Sequence, residues 1–396
     1  MKKVILQLRR PIMLGILLLI NVPQLLASPL PPLPEQPKNT PWPTEIWQEE
    51  SLGPSTLNQQ LDETIEKFFS YQQPETAMPD TRALLIVKSG KIVKERYAPG
   101  YNKTTKSHVW SVSKSITHTL AGVLVAQGKL TLEDIVTIPP YKLPVTADQP
   151  IRVKHLLQMS AGLKNSDDLR LESANRSFLT DMLYQTGRRD IVAYASEVEA
   201  IHPPGTHWAY STAVTSLVGA VIASKVGNTR RAMLSFMRES LFDKLGMKSV
   251  TPTFDAAGNL VSGAYFYASA RDLARLGLLY LRDGQWDGER LLPQGWVDFS
   301  RTPNNIDNNK IYGAHFWLNG LPTAEQRESL GFGERMFTGG AESGFTAWGF
   351  RGQYIALFPE QDLIIVRQGE IHDSDYKILG GLIGELSAIF SGMQDT

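Results

Sequence analysis

Apolar residues return every three or four positions at Leu57, Leu61, Ile65 and Phe68, which predicts a helix over about 55–71. The pattern then changes. Ala83 to Val87 is an unbroken apolar run, Ser89-Gly90 is a turn dipeptide, and Ile92 to Tyr97 alternates, so a buried hairpin is expected. Residues 98–109 read as polar loop. A helical pattern runs from Ser111 to a stop at Gly128. The middle of the chain is mostly helical: 153–159, 178–184, 190–197, 213–226 stopped by Gly227, 230–245, and 273–282 after a capping box variant at Ser269 to Asp272. Leu292-Pro293 opens a further short helix carrying Trp296. Three apolar runs near the end, 345–350, 354–358 and 363–367, read as strands, and an amphipathic helix over 375–390 closes the chain. Strands at both ends with helices between predict an α+β fold: one antiparallel sheet built from both ends, flanked by helices, with a mostly helical insertion. The expected divisions are 1–27, 28–54 as a Pro-rich arm, 55–110 with 335–396 as the sheet part, and 111–334 as the helical part.

Composition adds an address. Lys2, Lys3, Arg9 and Arg10 precede a nearly continuous apolar stretch from Pro11 to Ala27, closed by the small residues Ala27 and Ser28. This is the pattern of a secretory signal peptide. Asn21 and Pro23 interrupt the stretch, which falls short of the ~20 apolar residues a membrane span needs. Cleavage near Ala27 is therefore expected over retention as an anchor, with a periplasmic or secreted, bacterial product and no stable membrane span afterwards. The 396 residues carry zero formal net charge; loss of the segment takes this to about −4, so nothing favours nucleic acid. There is no cysteine, so stability must come from the core rather than from disulfides. Seven prolines between 29 and 47 mark an extended tether or a surface-hugging arm.

The chemistry centres on Trp110-Ser111-Val112-Ser113-Lys114. A serine and a lysine three apart share one face of a helix, one turn from each other. At the helix N-terminus the serine meets the positive end of the dipole, and a desolvated lysine can take its proton. The bland alternative makes Ser111 a helix cap and Lys114 a solvated side chain. Ser374-Asp375-Tyr376-Lys377 repeats the pattern, with Ser374 better read as the N-cap of the closing helix.

Five ordered segments together resemble the serine β-lactamase and penicillin-recognising superfamily, in particular its class C-like branch of esterases and 6-aminohexanoate-dimer hydrolases. They are Ser111 to Ser115, His155 to Leu163, Pro204-Gly205-Thr206 leading to Tyr210-Ser211, Ala270 to Gly277, and Gly352-Gln353 before Pro359. The resemblance spans roughly residues 80–390 and implies a β-lactamase/transpeptidase-like fold. It makes Ser111 the acyl-forming nucleophile, Lys114 its base, and Tyr210 a tyrosinate-like proton shuttle. The family's Tyr-x-Asn motif reads Tyr210-Ser211-Thr212 here, so the asparagine amide is replaced by a hydroxyl at Thr212. The family's Lys-Thr-Gly is missing from the facing strand, where Phe345 to Gln353 carries no lysine. That removes the cation which would hold a penicillin carboxylate and points toward esters and amides.

Further expectations attach to this reading. The backbone N–H groups of Ser111 and Phe350 would form the oxyanion hole. Thr212, Trp348 and Arg351 are candidate substrate contacts, and Trp208 and Trp317 join Trp348 as candidate walls of an acyl pocket. His202 and His207 are expected to be structural rather than metal ligands, and Asp167-Asp168 to lie in a solvated loop rather than to rim the cleft. No Gly-x-Ser-x-Gly or His-Glu-x-x-His occurs, and neither metal nor organic cofactor is called for. The expected partner is a small molecule or short peptide with an ester or amide bond. The alternatives are a D-amino-acid or cell-wall peptide amidase, and a binding protein that keeps the fold without turnover.

Overall fold

The computed structural model describes residues 30–53, 55–70, 80–144, 149–164, 167, 178–371 and 375–391. The signal-like segment 1–27 and Ser374 lie outside them. Strands β1 (Asp80–Lys88) and β2 (Lys91–Tyr97) form the expected hairpin. Its turn places Ser89 and Gly90 at φ +50° and +77°, the left-handed pair that a two-residue hairpin requires. Late in the chain come β3 (Trp317–Leu318), β4 (Phe345–Gly349), β5 (Gln353–Phe358) and β6 (Leu363–Glu370). They join the hairpin in one sheet of order β2-β1-β6-β5-β4-β3. The central pairing unites the two ends of the chain: Leu85 faces Val366 and Ile86 faces Ile365, antiparallel. Leu84 to Val87 and Leu363 to Val366 are all buried, because helices cover both faces of these strands.

Five helices matter for the site and its support: α1 (Thr56–Phe69), α2 (Val112–Ala126), α3 (Thr212–Val226), α4 (Ala270–Leu281) and α5 (Tyr376–Ser391). α1 and α5 pair on one side of the sheet, while α4 and α2 pack on the other. α4 lies directly on the strands: a Cβ at Gly277 would sit 3.0 Å from Ile355 and Leu357 and 3.1 Å from Ile364. The helix expected over 230–245 is continuous but changes winding, α over Arg230–Met237, π over Arg238–Phe242, and α again over Asp243–Leu245. A second small sheet was not expected. Ser107–His108, Phe266–Ala268 and Thr251–Pro252 pair in it, so the stretch taken as polar loop ends as a strand that feeds α2. Pro31–Thr396 forms one compact unit with a continuous core, and β3 joins the sheet from within the helical stretch.

The Pro-rich arm hugs the surface. Proline has no N–H, so a proline-rich segment offers mainly acceptors. The body supplies donors: Arg301 to the Pro31 carbonyl at 2.7 Å, Arg282 to Gln36 at 2.8 Å, and Arg275 to the Pro43 carbonyl at 2.7 Å. Trp42 packs against Trp286 with ring centroids 5.0 Å apart, and Trp47 is buried. Among the described residues no helix is long and apolar enough to cross a membrane.

α2 is buried almost all round, from Val112 to Leu124. It nevertheless carries Ser113, Lys114, Ser115, Thr117, His118 and Thr119, and a buried polar group needs a partner. Thr117 donates to the Ser262 carbonyl at 2.8 Å and Ser115 to the His315 carbonyl at 2.6 Å. His118 Nδ1 lies 2.9 Å from the Tyr280 hydroxyl. Burial pushes the His118 imidazole down to about 3 and holds His315 well below its ordinary value. Both are therefore neutral in the fold, while the unfolded chain binds protons at each below about pH 6.5. Stability from these two is present above that value and is lost as pH falls toward 3. His118 alone should cost about 2 kcal/mol at pH 5 relative to pH 7. Urea midpoints measured at the two pH values should show the loss, and His118→Gln should shrink the difference by about the His118 share, leaving that of His315.

Candidate active site

The chain enters the site under strain. Trp110 has φ +49°, a conformation that costs a non-glycine residue about 1–2 kcal/mol. Its ring is held by His108 at 4.1 Å and, edge-on, by Phe350 at 5.3 Å. His108 Nε2 is in turn fixed 2.8 Å from the Ala264 carbonyl, and Val109 N–H donates to the Phe266 carbonyl at 3.0 Å. Ser111 follows as the N-cap residue of α2, with φ −70° and ψ −6°, and its side chain makes no capping hydrogen bond. The capping reading of Ser111 therefore fails. The hydroxyl instead faces the lysine one turn on.

Lys114 is 1% exposed. Its Nζ donates to Ser111 Oγ at 3.1 Å, Thr212 Oγ1 at 2.7 Å and the Gly263 carbonyl at 2.9 Å. The reading of Lys114 as a solvated side chain fails too. Burial pushes the amine down to about 8, against the opposing pull of the Asp167 carboxylate. A lysine so shifted exchanges its proton near neutral pH.

Tyr210 completes the group. Its ring centroid is 4.8 Å from Lys114 Nζ, so the amine lies against the tyrosine ring. Burial first, and Asp167 next, push the phenol up well beyond its ordinary value. The tyrosinate expected at this position is thus disfavoured, and Tyr210 is a neutral phenol able to donate. The segment before it is pinned by Asp307, which lies 2.8 Å from His207 Nδ1 and accepts the Trp208 N–H at 2.8 Å. His202 packs against His207 with the rings tilted by 38° and their centroids 4.2 Å apart. The rings continue from Tyr210 to Trp317 at 5.2 Å and on to Trp348 at 5.0 Å, with Trp208 6.3 Å from Trp317.

The facing strand approaches through a glycine. A Cβ at Gly349 would lie 2.4 Å from the Val109 carbonyl, so only glycine lets the end of β4 come against the nucleophile turn. The turn beyond it, Phe350 to Gly352, is clamped from below. Arg367, wholly buried, donates to the Gly352 carbonyl at 2.9 Å and the Arg351 carbonyl at 3.2 Å. Tyr376 Oη accepts the Arg351 N–H at 2.9 Å, and Gln353 Nε2 reaches the Phe350 carbonyl at 3.3 Å. The N–H groups of Ser111 and Phe350 are left without a backbone partner among the described residues.

Three candidate substrate contacts read differently in space. Arg351 is paired with Glu370 at 3.0 Å, with both side chains partly in solvent, so it is an edge arginine with its charge already matched. Trp348 is half-buried among Trp317, Phe332, Tyr354 and Tyr376 and packs β4 against α5. Thr212 is buried behind Lys114 and takes a hydrogen bond from it, so its side chain serves the lysine instead of facing outward.

The residue that sequence reasoning placed wrongly is Asp167. It is not a solvated loop residue. Its carboxylate accepts the Thr212 N–H at 2.8 and 2.9 Å and the Thr212 hydroxyl at 2.8 Å. Its neighbour Asp168 lies outside the described residues. Asp167 gets there because the segment before it is zipped to the segment before Tyr210. Ile201 and His202 both donate to the Gly162 carbonyl, at 2.9 and 3.0 Å, Gly205 donates to Ser160 at 2.7 Å and Ala209 to Met159 at 2.9 Å. Gly162 permits this: at φ +75°, a Cβ there would lie 2.0 Å from the His202 carbonyl. The glycines and prolines of Ser160-Ala161-Gly162 and Pro203-Pro204-Gly205 mark both stretches as turns, but nothing in the chain says that the two turns pair.

A six-stranded antiparallel sheet covered by helices, with Ser111 and Lys114 at the mouth of the buried helix, defines a β-lactamase/transpeptidase-type fold. The sequence model of the family described as Beta-lactamase matches residues 75–368, and the chain belongs to that family. It is 23% identical over 308 residues to a 6-aminohexanoate-dimer hydrolase of Paenarthrobacter ureafaciens, covering 76% of each chain. Among solved structures, it is similar to a Beta-lactamase/D-alanine carboxypeptidase from Yersinia pestis, with TM-score 0.59 and 17% identity over 85% of this chain and 98% of that one. It is also similar to a family VIII carboxylesterase, with TM-score 0.61 and 14% identity over 84% of this chain and 97% of that one.

Proposed function

We propose that the protein is an exported serine hydrolase that cleaves esters or amides through an acyl-enzyme on Ser111. The observation that carries this is Lys114: fully buried, pushed down to about 8, and 3.1 Å from the Ser111 hydroxyl. In this reading the amine takes the hydroxyl proton as Ser111 Oγ attacks the carbonyl carbon. The carbonyl electron pair moves to oxygen, which the N–H groups of Ser111 and Phe350 receive. The tetrahedral adduct collapses and expels the leaving group. The neutral Tyr210 phenol gives that group a proton and is refilled by the Lys114 ammonium. Water then attacks the acyl-enzyme by the same route in reverse.

The substrate side is read from what the facing strand lacks. β4 and its turn carry no lysine, and the one arginine there is paired with Glu370. Nothing on that strand offers a free cation to a β-lactam carboxylate. The dimer hydrolase relative and the carboxylesterase neighbour support linear amides and esters as the substrate class. The purified protein, incubated with a fluorophosphonate probe and digested, should carry the adduct on Ser111. Its turnover of short acyl esters should exceed that of a chromogenic cephalosporin by at least about 100-fold, the value of one lost charge contact. An adduct that survives Ser111→Ala, or the reverse order of substrates, would sink the proposal. Export rests on the basic and apolar leader, and N-terminal sequencing of protein from the periplasmic fraction or medium should begin near Ser28.

A further inference from the structure

Lys114 has three hydrogen-bonding neighbours, and as an ammonium it donates to all three. A base must be the neutral amine, which has two N–H groups and one lone pair. Which neighbour faces the lone pair depends on which neighbours can only accept. The Gly263 carbonyl is an obligate acceptor. A threonine hydroxyl is not: left alone, it can donate to the amine and consume the lone pair. Here it is prevented from doing so. The single Thr212 hydroxyl proton goes to Asp167 Oδ2 at 2.8 Å, so the oxygen presents lone pairs to Lys114 at 2.7 Å. With two acceptors fixed, the two N–H groups of the neutral amine are committed, and its lone pair is left for Ser111.

We infer that Asp167 is a positioning residue that makes Thr212 an obligate acceptor and thereby aims the Lys114 lone pair at Ser111. The inference rests on the serine-hydrolase reading above. It accounts for the departure at the second motif, where the family carries asparagine. An asparagine side-chain carbonyl can only accept, so it needs no further partner, whereas threonine at the same place needs its proton disposed of. Asp167 is well sited for the task. Thr212 is the first residue of the 15-residue α3, so the carboxylate also meets the positive end of that helix. The other titratable groups around the amine are uncharged near neutral pH: Tyr210 and Tyr312 are held well above their ordinary values and His315 well below. Asp167 is thus the charge that bears on Lys114, and it favours the ammonium.

Two effects of Asp167 can therefore be separated, one on orientation and one on charge. The test measures phosphonylation of Ser111 by the fluorophosphonate, in which the Oγ–P bond forms, the P–F bond breaks, fluoride leaves and the proton goes to Lys114. Ester kcat and KM are followed alongside, against pH. Asp167→Ala should lower both the phosphonylation rate and kcat by about 10- to 100-fold with KM within about twofold, the range of a misdirected general base. Adding Thr212→Asn to Asp167→Ala should recover at least about tenfold, because the amide oxygen restores an acceptor without a carboxylate. Asp167→Asn keeps an acceptor for the hydroxyl but not the charge, so its acid limb should move to lower pH than in the wild type. Wild-type rates in Asp167→Ala, or no recovery in the folded double variant, would overturn the inference. If the wild type itself is not labelled on Ser111, the hydrolase reading fails first and this inference falls with it.

Discussion

Replacing Lys114 with methionine is expected to lower kcat/KM for an ester by at least about 10³, with the fold retained. The magnitude is that of a general base acting in the transition state. Methionine nearly matches the buried volume, so the loss is not one of packing. Ser111→Ala should be more severe, on the order of 10⁶, since the acyl-enzyme can no longer form. Lys114→Arg should not rescue, because a guanidinium does not give up its proton in a protein. The pH profile adds a signature. With the amine pushed down to about 8, the base form grows as pH rises through 8. The wild-type kcat/KM should therefore climb with an acid limb centred near 8 and level off above it. At pH 7.5 about a quarter of such lysines are neutral, against about one in a thousand for an ordinary lysine. An acid limb near pH 10, or activity surviving in Lys114→Met, would remove Lys114 from the role of base.

Much of this arrangement was legible in the chain, and the reason differs by element. The hairpin and the late strands are long apolar runs between turn dipeptides, so both their existence and their meeting in one sheet could be read. Ser111 and Lys114 are three apart on one helix, so local geometry alone brings them together. What could not be read is burial against pattern. A helix carrying Ser113, Lys114, Ser115, Thr117, His118 and Thr119 reads as partly solvated, yet it is enclosed. The apolar run that predicts β6 stops at Arg367, whereas the strand continues to Glu370 and Arg367 is wholly buried beneath the Phe350 turn. Strands of two residues, such as Ser107–His108, have no period to detect. Asp167 and Thr212 are 45 residues apart, Asp167 lies on a segment without periodicity, and the backbone pairing around Gly162 that brings them together leaves no periodic trace in the chain. The chemistry that depends on one helical turn was visible, and the chemistry that depends on two loops meeting was not.

The second large effect should come from a single methyl group. The oxyanion donors are backbone N–H groups, so no side-chain deletion removes them, but Gly349 controls the distance between the two elements that supply them. Alanine there would put its Cβ 2.4 Å from the Val109 carbonyl, and both partners are backbone, which cannot rotate aside. β4 and the Trp110 turn must separate by about 1 Å to reach ordinary contact. A displacement of that size at a reacting centre costs about 10² in rate, and an oxyanion donor lost outright costs about 10²–10³. Gly349→Ala is therefore expected to lower kcat by about 10² with KM little changed. It should slow fluorophosphonate labelling of Ser111 in parallel, since the phosphoryl oxygen would use the same donors. Gly381 on α5 supplies the matched control: nothing lies within 4 Å of a Cβ there. Gly381→Ala should leave kcat unchanged and raise helix stability by about 0.5–1 kcal/mol. Thermal unfolding of both variants, run beside the kinetics, separates a displaced donor from a weakened sheet. If Gly349→Ala is folded and turns over at the wild-type rate, Phe350 does not supply the second oxyanion donor.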